Sequence, residues 1–282
     1  MAMKPRTMLR TGAMAIVMAL AFGLSACSTQ SVLETMPAAA QAPLSDRYAA
    51  HVVDVGSRRV VLSQNASAIR HPASLTKMMT LYMLFDAVET GRIGMGASIP
   101  VSAYAASRPP SKLGLKAGDQ ISVDTAIRAL AVKSSNDVAV AVAEFLSGSE
   151  AAFAGAMTAR SRQLGLRSTR FTNASGLPDA GQVTTAEDMT RLGMLLMTNH
   201  RRYYPYFNQR EFTFRGRTIR GHNHLLKEPG VDGIKTGYIR ASGFNVVTSV
   251  KKGPRRYVIT VMGGDSARER DERVRQIIAS LR

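Results

Sequence analysis

Strand-like stretches occupy both ends of this chain, and helical stretches fill the middle. The stretch "RYAAHVVDVGSRRVVLSQN", residues 47–65, has two β-rich runs around Gly56 and Ser57 and reads as a hairpin. A period of two returns only after about residue 210. "EFTFRGRTIR" reads as a second hairpin. "VDGIKTG", "FNVVTSVKK" and "RRYVITVMGG" read as three strands, with turns at 241–243 and 253–254. Strands need partners, and the economical solution joins the two ends in one antiparallel sheet. The expected class is therefore α+β, with a helical region inserted between the halves of the sheet. A last helix over 266–281 carries Val274, Ile277, Ile278 and Leu281 on one stripe, suited to covering that sheet.

The inserted region is punctuated clearly. Residues 71–91 read as a helix closed by Gly91, and 123–133 has helical spacing. The pattern breaks at "SSND" and resumes as the buried helix "VAVAVAEFL". "SEAAFAGAMTARSRQLG" stops at Gly165. "TTAEDMTRLGMLLMTNH" opens with a capping box from Thr184 to Glu187.

The N-terminus reads as an export signal. Lys4, Arg6 and Arg10 precede the apolar run 13–24, which is short for a bilayer span and suited to a signal-peptide core. "LSAC" at 24–27 follows and resembles the lipobox of bacterial lipoproteins, whose cysteine is acylated. Cys27 is the only cysteine, so neither a disulfide within the chain nor a cysteine zinc site is possible. "PAAAQ" at 37–41 is a competing site for ordinary cleavage. The expected organisation is a signal peptide at 1–26, a tether at 27–44 rich in small residues and proline, and a catalytic domain at 45–282.

The formal net charge is +17, from 37 Lys and Arg against 20 Asp and Glu, which favours anionic surroundings. The basic residues are spread along the chain without aromatic interleaving. Together with the export signal, this argues against a nucleic-acid partner.

Ser74 and Lys77 stand three apart at the head of an apolar helix, which places them on one face. A hydroxyl is a poor nucleophile until a base takes its proton. A lysine lowered from about 10.4 to about 7 can be that base, and the shift requires roughly 4–5 kcal/mol from burial or a neighbouring cation. Alone, S-x-x-K is a weak signal. "SSN" at 134–136 lies in a break between helices, and "KTG" at 235–237 ends a predicted strand. The three motifs in this order are the signature of β-lactamases and penicillin-binding proteins.

The surrounding wording extends the match: "PASLTKMMT", "SSNDVAVAVAE", "FTNASGLPD", "TTAEDM" and "VDGIKTGY". Over residues 44–282 the chain resembles the serine D-alanyl-D-alanine carboxypeptidases, the low-molecular-mass penicillin-binding proteins. The resemblance implies the serine β-lactamase and DD-peptidase-like fold, and no cofactor. It implies Ser74 as the acylated nucleophile, Lys77 as general base and Ser134 as proton relay to the leaving amine. Asn136 would hold the acyl-side amide of the substrate. Lys235 and Thr236 would bind the terminal carboxylate of D-Ala-D-Ala, beside Gly237. The backbone N–H groups of Ser74 and Tyr238 would form the oxyanion hole. Tyr238 stands where some relatives carry histidine.

The implied partners are peptidoglycan stem peptides, β-lactams as inhibitors, and the membrane through a lipid on Cys27. The implied location is the cell envelope. A D,D-endopeptidase acting on cross-links uses the same chemistry and stands as the alternative, as does a non-catalytic peptidoglycan-binding lipoprotein on this fold. A class A β-lactamase is disfavoured, because "FTNASGLPD" offers no glutamate of the deacylating kind.

"HNH" at 222–224 reads as two imidazoles on one face of a strand. A zinc site needs a third ligand the sequence does not point to, so no metal is expected. "YYPYF" at 203–207 reads as a packed corner.

Overall fold

The computed structural model describes residues 1–2 and 45–281. The apolar N-terminal run, the lipobox with Cys27, the tether and Arg282 lie outside the described residues. Every element below belongs to the unit Ser31–Arg282.

The first hairpin pairs β1 (Ala49–Asp54) with β2 (Val60–Gln64). A 3-10 turn, Ala73–Thr76, leads into α1 (Lys77–Glu89). The expected helix over 71–91 therefore begins differently. Ser74 lies in the tighter turn, and the α-helix starts at Lys77. A 3-10 turn has three residues per turn, so positions three apart eclipse and Ser74 and Lys77 point the same way.

A small ribbon follows, of β3 (Ser98–Pro100) and β4 (Gln120–Ser122), with the short α2 (Ala103–Ala106) between them. Next, α3 (Val123–Arg128) widens into a π-helical turn, Ala129–Lys133. Ser134 breaks the run in the left-handed region at φ 63°. Ser135 is extended, and α4 (Asn136–Ser147) resumes at once. The break is thus shorter than "SSND", since Asn136 and Asp137 are already helical.

The helical region closes with α5 (Glu150–Gln163) and α6 (Ala186–Asn199). The cap of α6 is one residue later than expected: Thr185, not Thr184, accepts from the Asp188 backbone N–H. Thr184 is occupied elsewhere, because its backbone bridges Arg70. Tyr203, Tyr204 and Phe207 are buried around a 3-10 corner, Tyr204–Asn208, as the sequence suggests.

The hairpin β5 (Glu211–Phe214) and β6 (Arg217–Arg220) comes next. His222 and His224 do not share a strand face. Asn223 caps a 3-10 turn, His224–Lys227, through its side chain, which ends strand geometry there.

The chain then forms β7 (Val231–Ile239), β8 (Gly243–Lys252), β9 (Arg255–Gly264) and α7 (Ala267–Ser280). The sheet order is β2-β1-β9-β8-β7, with every neighbouring pair antiparallel. The two ends of the chain do build one sheet. Strand alternation divides its core in two. Val246, Val250, Tyr257, Ile259 and Val261 share a core with Val274 and Ile277 of α7 and with Leu281 just beyond it. Val247, Val258 and Ile234 join the larger core with Met189, Leu192 and Leu196 of α6. Both faces are covered, so β1 is buried along its whole length. The strand β7 lies at the edge of the sheet, beside the 3-10 turn that carries Ser74.

Candidate active site

Asn245 of β8 ties the segment before Ser74 to the sheet. Its side-chain amide donates to the carbonyls of His71 (3.0 Å) and Pro72 (3.4 Å), while its oxygen accepts from Gly263 N–H at 3.0 Å. The edge strand then passes very close to the nucleophile candidate. A Cβ placed on Gly237 would lie 3.0 Å from the Ser74 backbone nitrogen and 3.1 Å from the Pro72 carbonyl. Only glycine leaves the Ser74 N–H open at that crossing.

Lys77 is 0 % exposed. Its Nζ lies 3.2 Å from Ser74 Oγ, 2.7 Å from Asn136 Oδ1 and 2.5 Å from the Ser175 carbonyl. The Asn136 amide nitrogen donates to the Pro109 carbonyl at 2.9 Å, which fixes its oxygen toward Lys77. Burial pushes the Lys77 amine well below its ordinary value, and the charge of Lys235 pushes further; Asp137 and Glu150 oppose the shift. A neutral Lys77 has two N–H donors and one lone pair. Asn136 Oδ1 and the Ser175 carbonyl can only accept, so they take the two donors. The lone pair is left for Ser74, the one neighbour with a proton to give.

The Ser175 carbonyl is part of the site that sequence reasoning did not single out, although "FTNASGLPD" contains it. Its loop is held by Asn173 Oδ1, which accepts from the N–H groups of Ser175 (3.2 Å) and Gly176 (2.7 Å). Glu150 holds the Ala174 N–H at 3.0 Å, and Thr80 Oγ donates to the Ala174 carbonyl at 2.7 Å. Gly176, at φ 85°, crosses directly under the nucleophile turn, where a Cβ would sit 1.9 Å from the Ala73 carbonyl oxygen. Gly176→Ala is therefore expected to force this loop away from Lys77. It should lower thermal stability by more than the ~1 kcal/mol typical of a strained Gly→Ala change. Thermal melts check this, and an unshifted melting temperature would contradict the crossing.

Ser134 is buried in the cleft wall, and its Oγ has no hydrogen-bond partner among the described residues. Unpaired buried hydroxyls are uncommon in folded proteins. Asp137, which follows the S-S-N motif, is fully buried and accepts from the N–H groups of Leu113 (3.0 Å), Gly114 (2.9 Å) and Leu115 (3.1 Å). That grip, with Asn136 N–H on the Ser111 carbonyl at 2.7 Å, presses the 109–115 loop against the motif as one wall of the cleft.

Lys235 is 2 % exposed and donates to the Thr236 carbonyl at 2.9 Å. Burial lowers it to about 7, helped by the Arg270 guanidinium. Arg270 comes from α7, pairs with Asp271 at 2.6 Å and donates to the Asn245 carbonyl at 3.2 Å. Nothing in the sequence pattern marked it.

Ser74, Ser134, Asn136, Thr236, Gly237 and Tyr238 line one cleft of about 880 Å³. Lys77 and Lys235 lie behind this lining. His222 also lines the cleft, and burial with the charges of Lys235 and Lys133 lowers it below the ordinary imidazole value. Among the described residues no group of three or more His, Cys, Asp or Glu side chains gathers to hold a metal.

A family model described as D-alanyl-D-alanine carboxypeptidase, Peptidase_S11, matches residues 36–266. The D-alanyl-D-alanine carboxypeptidase DacA of Escherichia coli K12 is 35% identical over 244 residues, covering 84% of this chain and 60% of the relative. DacF of Bacillus subtilis is 32% identical over 269 residues, covering 93% and 67%. Among solved structures, penicillin binding protein 6B from Escherichia coli superposes with a TM-score of 0.77 at 31% identity, covering 87% of this chain and 80% of that one. Penicillin-binding protein D2 from Listeria monocytogenes, in its ampicillin-bound form, gives a TM-score of 0.72 at 26% identity, covering 82% and 96%. The chain spans 60% of the length of the DacA relative.

Proposed function

Because this chain belongs to the D-alanyl-D-alanine carboxypeptidase family, we propose that it removes the terminal D-alanine of peptidoglycan stem peptides through an acyl-enzyme on Ser74, and that β-lactams acylate the same oxygen. The observation that carries this reading is the buried Lys77 amine, 3.2 Å from Ser74 Oγ, with its other two contacts made to pure acceptors.

The terminal carboxylate of the substrate lies against Lys235 and Thr236, which puts the scissile carbonyl at the Gly237 crossing beside Ser74. Lys77 takes the Ser74 proton as Oγ bonds to the carbonyl carbon. The negative oxygen that forms is met by the N–H groups of Ser74 and Tyr238, donors that need no reorganisation. Collapse breaks the C–N bond. The proton passes from Lys77 through Ser134 to the departing D-alanine amine, which gives the unpartnered Ser134 hydroxyl its role. Asn136 has spent its oxygen on Lys77 and one amide hydrogen on Pro109; its second amide hydrogen remains for the acyl-side carbonyl. Water then attacks the ester, again with Lys77 as base, and frees the shortened peptide.

The proposal extends to the N-terminus: 1–26 as the signal peptide, Cys27 acylated, 27–44 as a membrane tether, and 45–282 as the catalytic domain in the cell envelope. Lipoprotein processing attaches several chains, which satisfies the need for more than one membrane signal. Mass spectrometry of the mature protein is expected to find acylated Cys27 at its start; an unmodified start near Gln41 would refute the anchor.

Incubation with muropeptides of defined cross-linking tests the reaction. Release of D-alanine from monomeric pentapeptide is the expected product. Conversion of dimers to monomers without D-alanine release would instead establish the endopeptidase. Binding without turnover or labelling would establish the non-catalytic lipoprotein.

A further inference from the structure

The strand register lays a shelf beyond the nucleophile. Tyr238 of β7 pairs with Phe244 of β8, and Phe244 pairs with Gly264 of β9, just before α7 begins. The Tyr238 and Phe244 rings stack with centroids 4.2 Å apart, and Tyr238 is 54 % exposed. Arg240 follows β7 directly, at the start of the turn into β8. Arg268 stands in the first turn of α7. Both arginines are exposed and both line the cleft.

Neither guanidinium has a partner among the described residues, although acids lie nearby. Asp265 pairs with Arg47 at 2.9 Å, Glu269 with Arg273 at 3.5 Å and Asp271 with Arg270 at 2.6 Å. Each acid next to Arg268 is thus committed to a different arginine. At Arg240 the backbone carbonyl is used, by Arg47 Nη1 at 3.0 Å, while the side chain stays uncommitted. Two cations lining one cleft without a counter-charge suit an anion brought by the ligand.

We propose that Arg240 and Arg268, which line the same cleft as the Tyr238–Phe244 shelf, form an acyl-side subsite for a second carboxylate, so that preferred substrates are acyl-D-Ala-D-Ala peptides with a free carboxylate upstream of the scissile bond. The direction follows from the edge strand, and the inference rests on the acylation chemistry proposed above. The terminal carboxylate is placed at Lys235 and Thr236 and the reacting carbonyl at Gly237. The rest of the peptide must then run past Tyr238 toward Arg240. Guanidinium forks match carboxylates in pairs of hydrogen bonds, and the stacked rings supply apolar contact for the intervening chain. Peptides whose upstream acids are amidated present no charge to this subsite.

The test uses two pentapeptides that differ in one group. In one, the third residue ends in a free carboxylate and an amine; in the other, that carboxylate is a carboxamide. The wild type is expected to prefer the free carboxylate by about tenfold in kcat/KM, and the preference should shrink at high salt, as exposed charge pairs do. In the double variant Arg240→Gln, Arg268→Gln the preference should fall to about twofold or less, with benzylpenicillin acylation unchanged, since that ligand carries no upstream carboxylate. A wild type that is acylated by benzylpenicillin yet treats both peptides alike would overturn the subsite alone. A preference that survives intact in the double variant would also overturn it. A wild type that benzylpenicillin fails to acylate would overturn the reading of Ser74, and the subsite with it.

Discussion

Ser74→Ala is expected to abolish covalent labelling by a fluorescent penicillin while leaving the melting temperature close to that of the wild type. The change removes one oxygen. Among the described residues that oxygen hydrogen-bonds only with Lys77 Nζ, which keeps its contacts to Asn136 and the Ser175 carbonyl. Among the described residues Ser134 Oγ has no hydrogen-bond partner to take its proton, and a hydroxyl without a base is inert toward an amide. Gel fluorescence with intact-protein mass measurement decides it: a penicilloyl adduct on the alanine variant would remove Ser74 from the role of nucleophile.

Lys77→Arg should fold and still lose acylation by about 10²–10⁴, the usual contribution of a positioned base, because a guanidinium keeps its proton at every working pH. The pH profile separates a base from an electrostatic partner. Lys77 must be neutral to accept the Ser74 proton, so acylation should rise with pH through its depressed pKa. Lys235 must be charged to hold a carboxylate, and in the free protein it loses its proton at about 7. The two requirements oppose each other and give a bell-shaped kcat/KM, with the alkaline limb starting near neutrality. Lys235→Gln removes a positive charge that helps lower Lys77. The acid limb should therefore move to higher pH while KM rises. A limb that stays in place would mean that burial alone sets the Lys77 amine.

The local structure of this protein was legible in its sequence. The strand periods at both ends made one shared sheet the economical solution, and the two ends do build it. The apolar runs and turn residues marked most helices to within a residue or two. The motifs at 74–77, 134–136 and 235–237 named side chains that the fold brings to a single cleft. These readings succeeded because period, capping and turn chemistry act over a few residues. Where two candidates stood side by side the same logic slipped. Thr184 and Thr185 are equally good caps by type, and the bridge from Arg70 to Thr184, 114 positions away, leaves the cap to Thr185. The strand expected for His222 and His224 gave way to a local competitor, the Asn223 side chain, which accepts from Leu225 N–H and caps the 3-10 turn.

Only the tertiary structure decided the electrostatics of the cleft. A lysine in a sequence is a cation with an ordinary pKa. Lys77 departs from that because α1 is buried, Lys235 arrives from the far end of the chain, and a loop at 173–177 presents a backbone carbonyl. Arg270 reaches Lys235 from a helix whose sequence pattern announces nothing but amphipathicity. Desolvation and Coulomb energy depend on what surrounds a charge in three dimensions, and the surroundings of Lys77 come from segments 59 to 158 residues away. The order of residues determined which groups exist to do chemistry; the packing of distant segments determined which of them can give up a proton.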